Sequence, residues 1–391
     1  MTGAGRILLT NDQWVDIAII GGGPAGSAAA MVLARAGVSV LLIDRGDGWA
    51  RGIGESLPPM AAPLLRALGV WDQFLAAGHL PSHGNRSAWG TPEAEERDFL
   101  SHPEGVGWHL DRPRFDAMLV DAAVRAGASY ARRTRLARRR RGAGGAWLLD
   151  LVVGGRETTV RAGAIVDASG RTAVLARAEG VPRAAYDRLV GVVGTLIPTD
   201  VEGDPAFDQD SLTLIEAVPD GWWYAARIPG GRLVVAHMTD ADIAASRGVR
   251  SPSGWSASLA DAPRIQERVR RHGYRLDAAL RVVPADSSYL RDVGGDGWCA
   301  VGDAAAAHDP LSSFGITGAL AGGEQAARAI LVDGGSLHVG RGELNEYARR
   351  MRQTYAGYVA QWLGNYALER RWLGTPFWAR RHGLLERLLR P

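Results

Sequence analysis

The chain has 391 residues, 46% hydrophobic and 22% charged, the composition of a soluble globular protein with room for one large or two medium domains. All 45 basic residues are arginine, since the sequence contains no lysine. Against 42 acids they leave a formal charge of +3, too balanced to argue for nucleic acid.

No apolar run reaches the roughly 18 residues a membrane-spanning helix needs. The opening MTGAGRILLTNDQW also lacks the basic-then-apolar layout of a secretory signal. The single Cys299 excludes an intramolecular disulfide and fits a reducing cytoplasm. The first predicted element is a buried parallel strand, VDIAII, which runs into Gly21-Gly22-Gly23-Pro24-Ala25-Gly26. That hexapeptide fits G-x-G-x-x-G. A small-residue helix and a second apolar strand, VSVLLID, follow and end at Asp44 and Arg45. In such a unit Gly21 permits the turn, Gly23 lets the backbone approach a pyrophosphate, and Gly26 lets helix and strand pack closely. The helix N-terminus favours the phosphates, and a carboxylate about twenty residues on, here Asp44, can accept both hydrogen bonds of a ribose diol.

Beyond Arg45 comes glycine-rich RGDGWARGIGESLPP, then a helical stretch from Met60 to Ala77. A loop-rich region with His79, His83, His102 and His109 follows, its spacing broken by Pro81, Gly84 and Pro103, so no metal site is expected. HLDRPRFDAMLVDAAVRAG predicts a turn and a helix. SYARRTRLA, AWLLDLVV and RETTVRA predict three antiparallel strands, with the arginine run at 131–141 on exposed strand and turn. AGAIVDASGRTA repeats the order of apolar strand, acid and glycine turn. Strand-like segments between Leu189 and Met238 predict a second, mostly antiparallel sheet, the natural wall of a substrate cavity. Helices are expected over 239–274, a third strand–acid–helix unit over 298–330, and a last helical region over 342–390.

Three separated signals, the glycine fingerprint, Asp167-Ala168-Ser169-Gly170 and Gly302-Asp303, together resemble the group A flavin monooxygenase family of the glutathione-reductase fold type. The match extends over most of the chain and implies FAD. By this resemblance Arg112 of RPRFD lies near the pyrophosphate and Asp303 binds the ribityl chain. Asp167, Ala168 and Gly170 make a second dinucleotide-side contact. The helix N-terminus within DPLSSFGITG (Pro310, Ser313, Gly315, Ile316) faces the flavin pyrimidine ring, where its dipole stabilises negative charge. The segments GIGESLPP, GWHLDRPRFD, GWWYAARIPGGRLVVAHMTDAD and DPLSSFGI look like the branch containing tryptophan halogenases, and especially the halogenase-like hydroxylases of tryptophylquinone maturation. The implied fold is α/β: a Rossmann-like FAD-binding domain (1–78, 104–182 and 284–335) interleaved with an antiparallel-sheet substrate domain (79–103 and 183–283), plus a C-terminal helical region (336–391). Two departures argue against halogenation. Halogenases of this kind use a lysine beside the substrate, and this chain has none. Their W-x-W-x-I-P signature would place tryptophans at 224 and 226, where Tyr224 and Ala226 stand.

The resemblance implies a hydroxylase whose reduced flavin meets dioxygen to give a C4a-hydroperoxide, which transfers oxygen to an electron-rich aromatic ring. Electrons come from NAD(P)H or from a partner flavin reductase. The expected substrate is an indole or phenol, either a free small molecule or one carried on a peptide or carrier protein. A flavin oxidase or dehydrogenase, a halogenase and a flavin-containing maturation partner are the alternatives. His308, beside Asp309-Pro310 at the flavin-facing turn, is a candidate acid–base group or a helix-packing residue. Glu55 and Ser56, in GES, are expected beside the isoalloxazine, with Glu55 also a catalytic candidate. Asp309 is either catalytic or a helix cap. Trp222, Trp223 and Tyr224 alternate faces on one strand, so either Trp222 and Tyr224 or Trp223 alone reaches the cavity. His237, on the next strand, faces either the same cavity or the core. The aromatics of the last region cover the site, form a docking surface, pack the helices together or lie on a membrane surface.

Overall fold

The computed structural model describes residues 9–46, 54–199, 207–334 and 342–389. The glycine-rich run from 47 to 53, including the first residues of GIGESLPP, lies outside the described residues. Two large sheets organise the molecule. In the first, strand Gln13–Ile20 lies between Val40–Ile43 and the second half of Arg156–Asp167, parallel to both. Ser129–Ala131 and Trp298–Ala300 extend it on either side, again in parallel. Ile17–Ile20, Val40–Ile43 and Trp298–Ala300 are buried on both faces, which is why they read as continuous apolar runs. RETTVRA and AGAIVD, read from the sequence as separate strands, form one continuous strand. Its first half pairs antiparallel with Trp147–Val153 and its second half parallel with the opening strand.

Helix Pro24–Arg35 packs between this sheet and helix Gly315–Val332. The approach is close because the facing positions lack side chains. A Cβ on Gly323 would sit 2.1 Å from the Ala25 carbonyl oxygen, and one on Gly26 would sit 1.9 Å from that of Gly21. Gly21 itself has φ of +118°, a conformation open to glycine alone among ordinary residues. The helical stretch from Met60 is interrupted: Ala62–Ala67 and Trp71–Ala76 are separate helices, with Gly69 at φ of +65° between them.

The second sheet runs Leu189–Ile197, Leu233–Asp240, Gly221–Arg227 and Thr213–Val218, all antiparallel. Gly84–Ala88 then joins Thr213–Val218 in parallel, so the 79–103 region supplies edge strands to this sheet. One face, carrying Trp223, Val192 and Val235, packs on Trp255, Leu259 and Ile265 from the helices after Asp240. The other face, carrying Trp222, Val234 and Met238, meets the C-terminal helices Gly342–Leu368 and Pro376–Leu389 through Tyr355, Tyr358, Trp362, Tyr366, Phe377 and Trp378. Among the described residues no helix is long and apolar enough to cross a membrane.

Because the Gly323 contact is backbone against backbone, neither side can yield by a rotamer change. The substitution Gly323→Ala is expected to lower stability by about 1–3 kcal/mol, read from the midpoint of denaturant unfolding, and to weaken nucleotide binding in parallel.

Candidate active site

A cavity of about 430 Å³ opens where the two sheets meet. Gly23, Pro24 and Ala25 enter it from the head of the first helix. Gly54, Glu55 and Ser56 form one side, with Arg112 behind them. Ala168, Gly170 and Arg171 come from the second acid turn, and Asp303, His308 and Pro310 to Leu311 from the third. Ser313, Gly315 and Ile316 bring the head of the last Rossmann-side helix. Val193, Ile215, Trp222, Tyr224, Val234, Ala236 and Met238 make the far wall from the second sheet.

The nucleotide-side residues fit an FAD. Gly23 and Gly315 both line the cavity, and a Cβ at either would meet no protein atom within 4 Å. The missing side chains therefore leave room for a bound group, unlike the crowded Gly21, Gly26 and Gly323. Neither helix that starts here, Pro24–Arg35 or Gly315–Val332, has a side-chain cap on its first N–H groups. Those donors and the positive dipole ends are the features an anion site needs.

The acids divide by role. Asp44 accepts from Gly22 N–H (2.8 Å) and Gly46 N–H (2.6 Å), which sets it beside the glycine loop but outside the cavity wall; Arg45 is exposed and also outside it. Asp167 is fully buried. Its carboxylate accepts from Ser169 N–H (3.0 Å), Ser169 O–H (2.6 Å) and Leu175 N–H (2.7 Å), so it shapes the turn while Ala168 and Gly170 reach the cavity. Gly302 likewise shapes its turn, where a Cβ would meet that of Ala25 at 2.8 Å, and Asp303 faces the cavity. Arg112 donates to Gly54 O (3.0 Å) and to Asp116 (3.2 Å) in the site's floor.

Arg171 was not singled out from the sequence, yet it ties the second and third turns together. Its guanidinium donates to the His308 carbonyl (3.0 Å) and to Asp286 Oδ1 (3.0 Å), with Nε 3.6 Å from Asp303. Its position directly after D-A-S-G was the available signal.

The structure decides between the alternatives for Asp309 and corrects the expectation for His308. Asp309 does not present a free carboxylate. Oδ1 accepts from Leu311 N–H (2.8 Å), and Oδ2 accepts from Trp362 Nε1–H and Tyr366 O–H, both at 2.9 Å. It caps the turn Pro310–Ser312 and fastens helix Gly342–Leu368 to that turn. Trp222 Nε1–H in turn donates to the Tyr366 oxygen (2.9 Å). His308 is not poised near neutrality. Its ring lies among Phe314, Tyr355 and Tyr358, with centroids 5.0, 5.6 and 4.6 Å away. Burial first, then the Arg171 charge, pushes it down to about 4, so at pH 7 it is a neutral imidazole. Glu55 is buried at the cavity wall. Burial raises its carboxyl above the usual range, opposed by the Arg112 charge.

Of the wall candidates, Trp222 and Tyr224 face the cavity. Trp223 and His237 do not: their rings stack at 4.5 Å on the opposite face of the sheet, with Trp255 against Trp223. Strand alternation fixes both placements at once, because Trp223 pairs with His237 across the sheet. Sequence reasoning missed Thr213 and His109. Thr213 Oγ1 lies 2.8 Å from His109 Nε2 and 3.2 Å from Ser56 Oγ, and Ser56 Oγ lies 3.0 Å from Tyr224 OH. Among the described residues no group of three or more His, Cys, Asp or Glu could hold a metal ion.

A Rossmann-type α/β half and a cavity between two helix heads and an apolar sheet define a flavoprotein architecture. The chain belongs to the FAD binding domain family, which it matches over residues 14–330. It is 32% identical over 370 residues to a putative FAD-dependent oxidoreductase, LodB, of Marinomonas mediterranea, covering 94% of this chain and 96% of that protein. It is 27% identical over 352 residues to a 1H-pyrrole-2-carbonyl-(peptidyl-carrier protein) chlorinase of Pseudomonas fluorescens, covering 79% and 74%. Among solved structures, the myxobacterial chondrochloren halogenase CndH superposes with a TM-score of 0.82 at 25% identity, over 94% of this chain and 86% of that one. The peptidyl tryptophan dihydroxylase QhpG gives 0.72 at 25% identity, over 94% and 78%. The expected halogenase-like branch of flavoenzymes is thus the right one, and FAD is its cofactor.

Two outcomes check the site. Gly23→Val adds bulk where no protein atom stands, so the apoprotein should keep its melting temperature while FAD affinity falls at least about tenfold, about 1.4 kcal/mol, by flavin fluorescence titration. The second concerns pH. A histidine whose folded pKa lies below its unfolded value binds fewer protons folded than unfolded, so its contribution to stability is lost as pH falls from about 6.5 towards 4. Between pH 7 and 5, wild type should lose about 1–2 kcal/mol more than His308→Gln, measured by urea denaturation of the two proteins side by side.

Proposed function

We propose that this flavoenzyme hydroxylates an aromatic ring, an indole or a phenol, presented on a peptide or a carrier protein, using FAD, dioxygen and electrons from NAD(P)H or a flavin reductase. The observation that carries this reading is the complete absence of lysine from the chain, which removes the side chain that relatives of the halogenating type place beside the substrate. Tyr224 and Ala226, standing where the W-x-W-x-I-P signature has tryptophans, support the same reading. The names of the relatives support a tethered substrate: the Pseudomonas chlorinase acts on a carrier-bound pyrrole and QhpG on a peptidyl tryptophan.

FAD would be held by Gly21 to Gly26, Asp44, Arg112, Ala168, Gly170, Asp303 and the Pro310–Ile316 segment, and would supply the reduction of dioxygen and an electrophilic oxygen atom. The chain's own part is placement and exclusion of water. The apolar wall of Val193, Ile215, Trp222, Val234 and Met238 keeps the ring dry and oriented. Glu55, raised by burial, is the group best suited to hold or release a proton at the ring, and neutral His308 can accept a hydrogen bond beside it. The FAD-binding domain comprises 1–78, 104–182 and 284–335, the substrate domain 79–103 and 183–283, and 336–391 the C-terminal helical region. A cytoplasmic setting suits the single buried thiol of Cys299.

The deciding measurement is product mass. FAD-loaded protein, an NAD(P)H-driven flavin reductase, a tryptophan-containing peptide and oxygen-18 dioxygen are combined in a buffer holding both chloride and bromide. The expected product carries labelled oxygen and no halogen. A chlorinated or brominated peptide overturns the lysine argument, and a product lighter by a hydrogen pair with no label assigns a dehydrogenase instead.

A further inference from the structure

The far wall of the cavity is apolar except for three side chains: Thr213, Trp222 and Tyr224. Trp222 already spends its N–H on Tyr366. The other two belong to a single file of hydrogen bonds running from the cavity into the core: Tyr224 OH to Ser56 Oγ (3.0 Å), Ser56 Oγ to Thr213 Oγ1 (3.2 Å), Thr213 Oγ1 to His109 Nε2 (2.8 Å). Four separate elements supply the file. Ser56 sits on Ser56–Leu57 and His109 on Gly107–His109, two short strands paired directly at these residues, while Thr213 and Tyr224 come from neighbouring strands of the large second sheet.

The two ends differ. His109 is completely buried, and burial with the Arg268 charge behind it pushes its imidazole down to about 3, so it is a fixed neutral partner. Ser56 and Thr213 each have two partners within the file. Tyr224 has one, and a phenol offers one donor and two acceptor sites, so its oxygen keeps hydrogen-bonding capacity at the point where it meets the cavity. The phenol also stays neutral, since burial raises it away from ionisation. Whichever way the protons along the file are ordered, the outcome at the cavity is one polar site of fixed position in an apolar wall.

We propose that the Tyr224 hydroxyl is the specificity-determining contact for the heteroatom of the aromatic substrate, an indole N–H or a phenol O–H, and that Ser56, Thr213 and His109 are positioning residues that aim it. The inference rests on the reading of the cavity as an aromatic-substrate site. Through Tyr224 the enzyme would choose rings that carry a polar edge over equally large hydrocarbons, and would set which ring edge points towards the flavin side of the cavity. Ser56 adjoins Glu55, so the strand that aims the tyrosine directly follows the residue with the proton-holding carboxyl, and the two functions share one stretch of backbone.

The test uses the full-length, FAD-loaded protein and two probes of the same shape, 2-naphthol and naphthalene, with dissociation constants from fluorescence titration. Wild type should bind 2-naphthol about fivefold to tenfold more tightly, the margin expected of one well-made hydrogen bond. In Tyr224→Phe that preference should fall to about one while naphthalene affinity is unchanged, which also reports an intact cavity. Thr213→Val, which keeps the shape but breaks the file, should lower the preference at least about twofold through Tyr224, and Thr213→Ser should restore it. The proposal is overturned if wild type shows no preference, if the preference survives in Tyr224→Phe, or if neither probe binds. A Thr213→Val protein that loses naphthalene and 2-naphthol affinity equally assigns Thr213 a purely structural role and overturns the positioning part. Because this is a binding measurement without turnover, it stands or fails separately from the labelled-dioxygen experiment.

Discussion

The structure depends on one steric constraint: the head of helix Pro24–Arg35 must lie against three other backbones at once. Gly26 leaves it room against Gly21, Gly323 against the Ala25 carbonyl, and Gly302 against the Ala25 side chain. Those contacts bring two helix heads to the same cavity, so that two sets of uncapped N–H groups and two positive dipole ends converge on it. The acid turns at Asp167 and Gly302-Asp303 follow from the same closeness, since each occupies the end of a strand parallel to the first. A dinucleotide-binding half built this way has little freedom to drift. Its position therefore sets where any second sheet must offer a substrate.

Much of that half was legible in the sequence because it is written locally. Gly21 to Gly26, the small-residue helix and Asp44 lie within one βαβ unit, and their chemistry follows from spacing alone. What lay beyond reach was contact between distant segments. Ser56 touches Tyr224 across 168 positions, and Thr213 touches His109 across 104. No periodicity encodes such pairings. Strand alternation did establish that Trp222 and Tyr224 share a face opposite Trp223, but which face meets the cavity depends on the helices after Asp240 burying the other side. The titration of His308 was illegible for a related reason. A histidine near neutrality is the free-solution expectation, and the ring of aromatics from the C-terminal helix that lowers it arrives from 47 to 50 positions away.

The site combines two kinds of polarity. On the nucleotide side, charge is managed by backbone N–H groups and by Arg171, which bridges the turns. On the substrate side almost everything is apolar or already hydrogen-bonded, so water has few partners there. The division suits chemistry in which a charged coenzyme must sit beside a dry aromatic ring. The aromatic content of the C-terminal region has its own place: Tyr355, Tyr358, Trp362 and Tyr366 pack on the sheet face that carries Trp222, and three of their hydrogen bonds converge on one residue, Asp309.

That fastening of the C-terminal helix to Asp309 has a consequence for how the protein is made. During synthesis the glycine cradle and both sheets emerge before residue 342, yet the wall carrying Trp222 and the carboxylate of Asp309 wait for partners from the later helix Gly342–Leu368. A ribosome-bound nascent chain would therefore already hold the elements that grip the coenzyme while Trp222 and Asp309 still lacked their hydrogen-bond partners. Docking of that helix, rather than capture of the coenzyme, is the event that fixes Trp222 and the Asp309 turn in place.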